Sequence, residues 1–469
     1  MSGSEEVKSP YEKRKAEDQE DKIWPVIWDF AGQDIYRAIH PMFMSPEAIY
    51  LLAFDLTQEL HDRAVCRVNQ PSHKEEQVEH RDTEDTNLDH VMRWMTLIHA
   101  LKNPNGDKMS PSDDSARSVV LPPSLPPVIL VGTHADLVDP SKIESHHEQF
   151  KRAMRTLYDH VVNLLPVDNT KSGEEEGHEK IVTLRTELLK LAENMPHTLP
   201  LDENKIPLQW HRVEKELSKT AWQEKKYITK DTFRNTASQF CNFSSEDDVD
   251  ELINFLDDRG SVVYHESTKD QDGLVFLDPQ WLINMITQII NANPLDGEAT
   301  AYSGYRKKLQ KTGILHKKLL DYGFQRLNLD SVKDSFISLM QRFNLICMWP
   351  SKDPQDPLIL VPCMSTSKGK EEIKKEEMTS TRCAPLYLTF KGTNYVPGGL
   401  FCRLVVLFGR WLSVNPKERH TFKLRSHMAQ FSLKADHYLR LVCYKRVIEL
   451  CIWAAAHSSP PKHCAEVLR

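Results

Sequence analysis

No apolar run in this chain reaches the roughly 18 residues that a membrane-crossing helix needs. The best candidate, 400–412, is interrupted by Arg403 and Arg410. The first residues, Met-Ser-Gly-Ser-Glu-Glu, have no apolar core and do not read as a signal peptide. Cysteine supplies no framework. The nine residues (Cys66, Cys241, Cys347, Cys363, Cys383, Cys402, Cys443, Cys451 and Cys464) are odd in number, and no two form a CxxC pair. A disulfide scaffold or a zinc module is therefore not expected, and a reducing, cytoplasmic compartment is. Basic charge is not in excess. The net charge is −7 and the sequence pI about 6.3, which argues against a nucleic-acid binder at whole-chain level. None of the 17 glycines stands in a Gly-x4-Gly-Lys-Ser/Thr phosphate loop. Gly369-Lys370 is followed by Glu371, with Met364 where the first glycine should be.

What is present suits a globular chain: 469 residues, 40% apolar and 27% charged, enough for two to four domains. Residues 1–22 are polar and charged and read as disordered. Apolar runs at 23–30, 48–55, 127–132 and 161–167 read as strands buried on both faces. Helical faces separate them: Leu88, Val91, Met92, Met95 and Ile98, then Phe150, Met154, Tyr158 and Val161, then a helix from Thr183. Strands alternating with helices predict a parallel sheet covered on both sides over 23–195.

After a linker the pattern changes. Over 205–350, short helices precede a hairpin (261–264 and 274–277), a winged-helix-like arrangement. Ser245 and Asp248 have capping-box spacing, and Asp278-Pro279 opens a helix. A Lys/Glu-rich loop at 365–382 interrupts the third part, 358–469. That part reads as α+β: short strands around one helix, 398–411.

Two motifs carry chemistry. In Asp29-Phe30-Ala31-Gly32-Gln33 an apolar strand ends on an acid that can reach a magnesium ion, usually through water. Gly32 lets the backbone approach a terminal phosphate, and Gln33 stands where it could orient an attacking water. The second motif, Gly132-Thr133-His134-Ala135-Asp136, directly follows a buried strand. Asp136 is placed to accept hydrogen bonds from a guanine ring NH and amino group, a pattern adenine cannot supply. His134 stands where such motifs usually carry lysine. The bland alternative is a strand-end turn with an N-capping Asp.

Together these motifs resemble the Ras-like Roc domain of ROCO proteins. Pro207-Leu208-Gln209-Trp210, Leu277-Asp278-Pro279-Gln280-Trp281-Leu282, Leu360-Val361-Pro362 and Tyr395-Val396-Pro397-Gly398-Gly399-Leu400 are similar to segments of the COR domain that follows Roc. The resemblance covers about 23–455. It implies an α/β, N-terminally truncated Roc domain without its phosphate loop, followed by an α+β COR domain (COR-A, then COR-B). It further implies GTP or GDP and Mg2+ as cofactors, with Gln33 catalytic, Asp29 the metal residue, and Asp29, Gly32, Thr133, His134 and Asp136 facing nucleotide. The partners it implies are a second copy through COR, a full-length relative, or other signalling proteins.

Two functional readings follow. One is a guanine-nucleotide-linked regulatory signalling module whose COR part dimerises and relays the Roc state. The other is a COR-based interaction scaffold without nucleotide binding. Loss of the first strand and helix would leave the Roc half poorly stable unless something covers it. DNA binding is disfavoured because the helix from Ser245 to Arg259 is acidic. His73, His80, His146, His147 and His178 read as surface histidines, and Asp257-Asp258 as a solvated helix end.

Overall fold

The computed structural model describes residues 27–30, 38–64, 85–101, 125–168, 170, 179–194, 207–219, 222, 224–266, 273–291, 300–349, 358–365, 380–390, 395–413, 421–434 and 437–455. Its first part is a parallel sheet ordered β1 (Tyr50–Asp55), β2 (Val128–Thr133), β3 (Val161–Pro166). Tyr50 pairs with Val128 and Asp55 with Thr133. Helices α1 (Asn87–His99) and α2 (Pro140–Met154) cover one face, where Leu52, Met92, Met95, Leu130 and Phe150 are buried together. Helix α3 (Glu179–Asn194) covers the other over β2 and β3, through Leu191 against Ile129, Val131 and Leu165. β2 is central and apolar, so both its faces are covered, as in parallel sheets generally.

Two expectations fail here. β1 is not buried on both faces: Leu51, opposite Ile129, is 48% exposed, and Ala53 is exposed too. No described strand pairs the outer edge of β1. The run 23–30 is also not a strand where it is described. Residues 27–30 are irregular, and 23–26 lie outside the described residues. The aromatic side chains of this segment pack elsewhere. Trp28 stacks on Phe43 at 5.3 Å, and Phe30 meets His40 edge-on at 5.0 Å.

The next part alternates helices with short strands. In order these are α4 (Leu208–Leu217), β4 (Tyr227–Thr229), α5 (Lys230–Ala237), α6 (Glu246–Asp258), β5 (Val263–His265) and β6 (Leu274–Phe276). The expected hairpin forms within an antiparallel sheet ordered β4–β6–β5. Both helix starts behave as read: Ser245 and Asp248 complete a capping box, and Asp278 caps α7 (Pro279–Ile290). Then come α8 (Ser303–Thr312), β7 (Ile314–His316), α9 (Lys317–Arg326), α10 (Lys333–Arg342), β8 (Cys347–Trp349) and β9 (Leu358–Leu360). β7 and β8 both pair with β9, so short strands interleave with the helices up to Trp349.

The last part is an antiparallel sheet behind one helix. Its elements are β10 (Ser380–Arg382), β11 (Leu386–Leu388), α11 (Leu400–Ser413), β12 (Phe422–Arg425), β13 (Met428–Lys434), β14 (His437–Cys443) and β15 (Ile448–Ala455). β10 falls inside the stretch read as a loop, and β12 was not foreseen. Val405 and Val406 of α11 pack on Leu439, Leu441 and Ile448 and reach Cys347 and Leu360. Gly409 permits that approach, since a Cβ there would lie 3.1 Å from Cys347 Sγ.

The cores are not separate. Ala38 and Ile39 are buried with Phe276, Leu282 and Phe336 of the second part. Trp28 lies over Gly260, where a Cβ would come within 3.0 Å of the indole. Tyr395 of the third part is buried in the core beneath β1 and β2. The first part is therefore covered, at one end, by the rest of its own chain.

Candidate functional site

Because the three strands are parallel, their C-terminal ends share one rim, the usual ligand edge of an open α/β sheet. The loop leaving β2 is built tightly. A Cβ at Gly132 would sit 2.8 Å from the Leu56 side chain, so only glycine lets the two loops pass. Val167 N donates to Gly132 O at 2.7 Å and Ala135 N to Val167 O at 3.2 Å, which ties this loop to the end of β3. Thr133 Oγ1 donates to Phe54 O at 3.2 Å.

His134 is left-handed (φ 58°), an uncommon state for a residue with a side chain. Its Nδ1 lies 3.2 Å from Asp55 Oδ1 and 3.1 Å from Thr133 Oγ1. The imidazole is thus engaged with the end of β1. Asp55 Oδ1 also accepts Thr57 N at 2.9 Å and Thr57 Oγ1 at 2.7 Å. Partial burial pushes the Asp55 pKa up, but the Thr57 hydrogen bonds and His134 outweigh it and hold the carboxyl below its usual range. Asp136 lies in a single 3-10 turn, exposed, with no hydrogen bond or ion pair among the described residues. It is free to accept.

Asp29 is exposed and irregular, between Trp28, which packs on the second part, and Phe30, which packs on His40 and Trp94. No contact among the described residues joins it to the Thr133–Asp136 loop. Gly32 and Gln33 lie outside the described residues. Among the described residues, Asp136 is thus exposed at the loop after β2, and Asp29 is exposed in a separate, irregular segment. No hydrolytic step is derived from them.

Sequence reasoning missed Asp55, although a strand ending in Asp-x-Thr is a local turn signal. It also misjudged His146, which is buried on α2 with both ring nitrogens facing carbonyls, Lys142 O at 2.8 Å and Gln58 O at 3.0 Å. His73, His80 and His178 lie outside the described residues. Asp257 is not a solvated end: burial pushes its pKa up to about 6, although Tyr264 N donates to it at 3.3 Å.

The larger omission is a buried polar node between the first and third parts. Thr86 and Asp89 form a capping box at the start of α1. Asp89 is 4% exposed and also accepts Tyr395 Oη–H at 2.7 Å and the Lys445 ammonium. Asp85 pairs with Arg93 at 2.7 Å and lies 3.9 Å from Lys445. Burial alone would raise the Asp89 pKa, but Lys445, the Thr86 amide and Tyr395 together bring it down to about 2. Burial and the same carboxylate push the Tyr395 phenol up.

The chain is similar to several known proteins. A family model described as "C-terminal of Roc, COR-A domain" matches residues 207–364. Another, described as "Ras of Complex, Roc, domain of DAPkinase", matches residues 4–78. The chain is 23% identical over 322 residues to a probable serine/threonine-protein kinase pats1 of Dictyostelium discoideum, covering 68% of this chain and 8% of that protein. It is 25% identical over 291 residues to a probable serine/threonine-protein kinase roco5 of the same organism, covering 60% and 8%. It is 22% identical over 294 residues to its cyclic GMP-binding protein C, covering 59% and 9%. The chain thus spans less than a tenth of the length of these relatives. A solved structure, Methanosarcina barkeri Roco2 RocCORdC bound to GDP, aligns at 20% identity and a TM-score of 0.41, over 72% of this chain and 79% of that one. The two family models, matching in this order along one chain, support a Roc segment lacking a phosphate-loop motif followed by COR, similar to the ROCO proteins above.

Proposed function

We propose that this chain is a Roc-COR regulatory signalling module in which the start of α1 is the relay between the Roc half and COR-B. The observation that carries this reading is the Asp89 node. One carboxylate both caps a Roc helix and anchors Tyr395 and Lys445 of COR-B. Any shift of α1 must therefore break or drag a buried, charge-assisted contact. We read COR-A (205–350) as winged-helix-like packing and COR-B (358–469) as the part that dimerises.

The nucleotide link rests on Asp136, which is open to a guanine edge. Without phosphate contacts, affinity of about micromolar or weaker is expected, on the order of 4 kcal/mol short of nanomolar. The position of Asp29 favours the second reading, a scaffold in which Roc serves as a docked support for COR rather than a hydrolase. Titration of the purified chain with a fluorescent guanine nucleotide in magnesium separates the two. Saturable binding that is lost in Asp136→Asn supports the nucleotide-linked reading and sinks the scaffold; no saturable binding sinks the nucleotide link. For the relay, hydrogen exchange of α1 is expected to quicken in Tyr395→Phe; an unchanged α1 counts against it. Light scattering at micromolar concentration tests self-association, and a strictly monomeric mass refutes it.

A further inference from the structure

A cleft between COR-A and COR-B plays no part in the reading above. It is a shallow, open groove of about 460 Å3, lined by Ser338, Gln341, Arg342, Met348, Arg410 and Ser413. Ser338, Gln341 and Arg342 come from α10; Arg410 and Ser413 come from α11. The lining brings together two guanidinium groups, two hydroxyls and an amide, and contains no carboxylate.

Arg410 is held but not satisfied. Its Nη1 donates to Asn344 Oδ1 at 2.9 Å. Asn344 is itself left-handed (φ 57°) just past the end of α10, where its N–H donates to Gln341 O at 2.9 Å. The other terminal nitrogen, Nη2, is buried without a hydrogen-bond partner among the described residues. Burial also pulls the Arg410 pKa below its usual value, the sign of a desolvated cation short of counter-charge. Across the cleft, Arg342 donates Nη1 to Tyr264 O at 3.2 Å. Arg342 also feels the Asp257 carboxylate, which does not line the cleft.

We propose that this cleft binds a small soluble phosphate compound that bridges Arg342 and Arg410. Guanidinium forks match phosphate oxygens bidentately, and two of them favour a dianion over a carboxylate. The hydroxyls of Ser338 and Ser413 are at hand for further oxygens. The groove has room for more than a bare phosphate ion and is open to solvent. Because its two arginines belong to different COR halves, the ligand would fasten one half to the other. The site is independent of the Roc loop and of guanine.

The test uses the full chain and inorganic pyrophosphate, with sodium chloride at matched ionic strength as reference. Wild type is expected to gain thermal stability with a saturable pyrophosphate dependence. Arg410→Gln and Arg342→Gln should each weaken the apparent affinity at least about tenfold, and Arg410→Lys should retain part of it. Ser338→Asp places an anion inside the cleft and should abolish the response while keeping the wild-type circular dichroism. It decides the matter if an arginine variant fails to fold. No saturable response in wild type, or an equal response in Ser338→Asp or both glutamine variants, overturns the proposal.

Discussion

Helices α1 and α6 begin with the same device and use it differently. Thr86 with Asp89, and Ser245 with Asp248, both form capping boxes. In COR-A the box is exposed and local: Asp248 accepts Ser244 N, Ser245 N and Ser245 Oγ and touches nothing distant among the described residues. In Roc the acid is buried and also holds Tyr395 and Lys445, more than 300 residues further along the chain. Equal local patterns thus carry unequal tertiary roles. Burial decides which: removing a buried acid strands an ammonium and a phenol, whereas removing an exposed one lets water replace it.

Substitutions can break this contrast. Asp89→Ala should cost about 3 kcal/mol in urea unfolding, since it removes a cap and leaves Lys445 without its closest carboxylate. A loss no larger than that of Ser245→Ala would erase the distinction. Tyr395→Phe comes next, at about 1.5 kcal/mol, because Asp89 keeps Lys445 and its cap. Ser245→Ala should cost about 1 kcal/mol, a cap alone. It should leave hydrogen exchange in α1 unchanged; faster exchange there would show that the two helices are coupled.

Acid separates the boxes least. The folded-state pKa of Asp89, about 2, lies below its ordinary value of 3.8. As pH falls through 4 toward 2 the unfolded chain binds the proton first, so a stabilisation fully present above pH 4 is lost in that window. Denaturant midpoints of wild type and Asp89→Asn should therefore converge below pH 4, and parallel curves would refute this. His160 acts at higher pH. Burial is the main reason its pKa falls to about 4, so the neutral ring's contribution is complete above pH 6.5 and fades as pH falls from 6.5 to 4. His160→Gln should flatten that part of the profile.

Much of the fold was legible because its signals are local. The runs that became β1, β2 and β3, both capping residues of COR-A, and the hairpin of β5 with β6 depend on neighbours within a few positions. Of the candidate site, the loop with Thr133, His134 and Asp136 was found at the end of β2. The orientation of His134 toward Asp55 was not, since it depends on which strand lies alongside. The short strands β7, β8 and β12 escaped because three or four residues pair only where a distant partner exists.

The run from 23 to Phe30 shows the boundary most clearly. Its apolar pattern permits a strand, and the outer edge of β1 has no strand paired to it among the described residues, yet residues 27–30 are irregular. Trp28 and Phe30 instead stack on Phe43 and His40, and Trp28 lies over Gly260. The sequence by itself determined the resemblance to Roc and COR, the parallel sheet and the helix starts, because periodicity, caps and short motifs are written in adjacent residues. Only the tertiary structure decided that Trp28, beside Asp29, packs on Gly260, that Asp89 meets Tyr395 and Lys445, and that Arg342 and Arg410 line one groove. Each of those outcomes depends on residues brought together from distant parts of the chain, and on how much water their burial excludes.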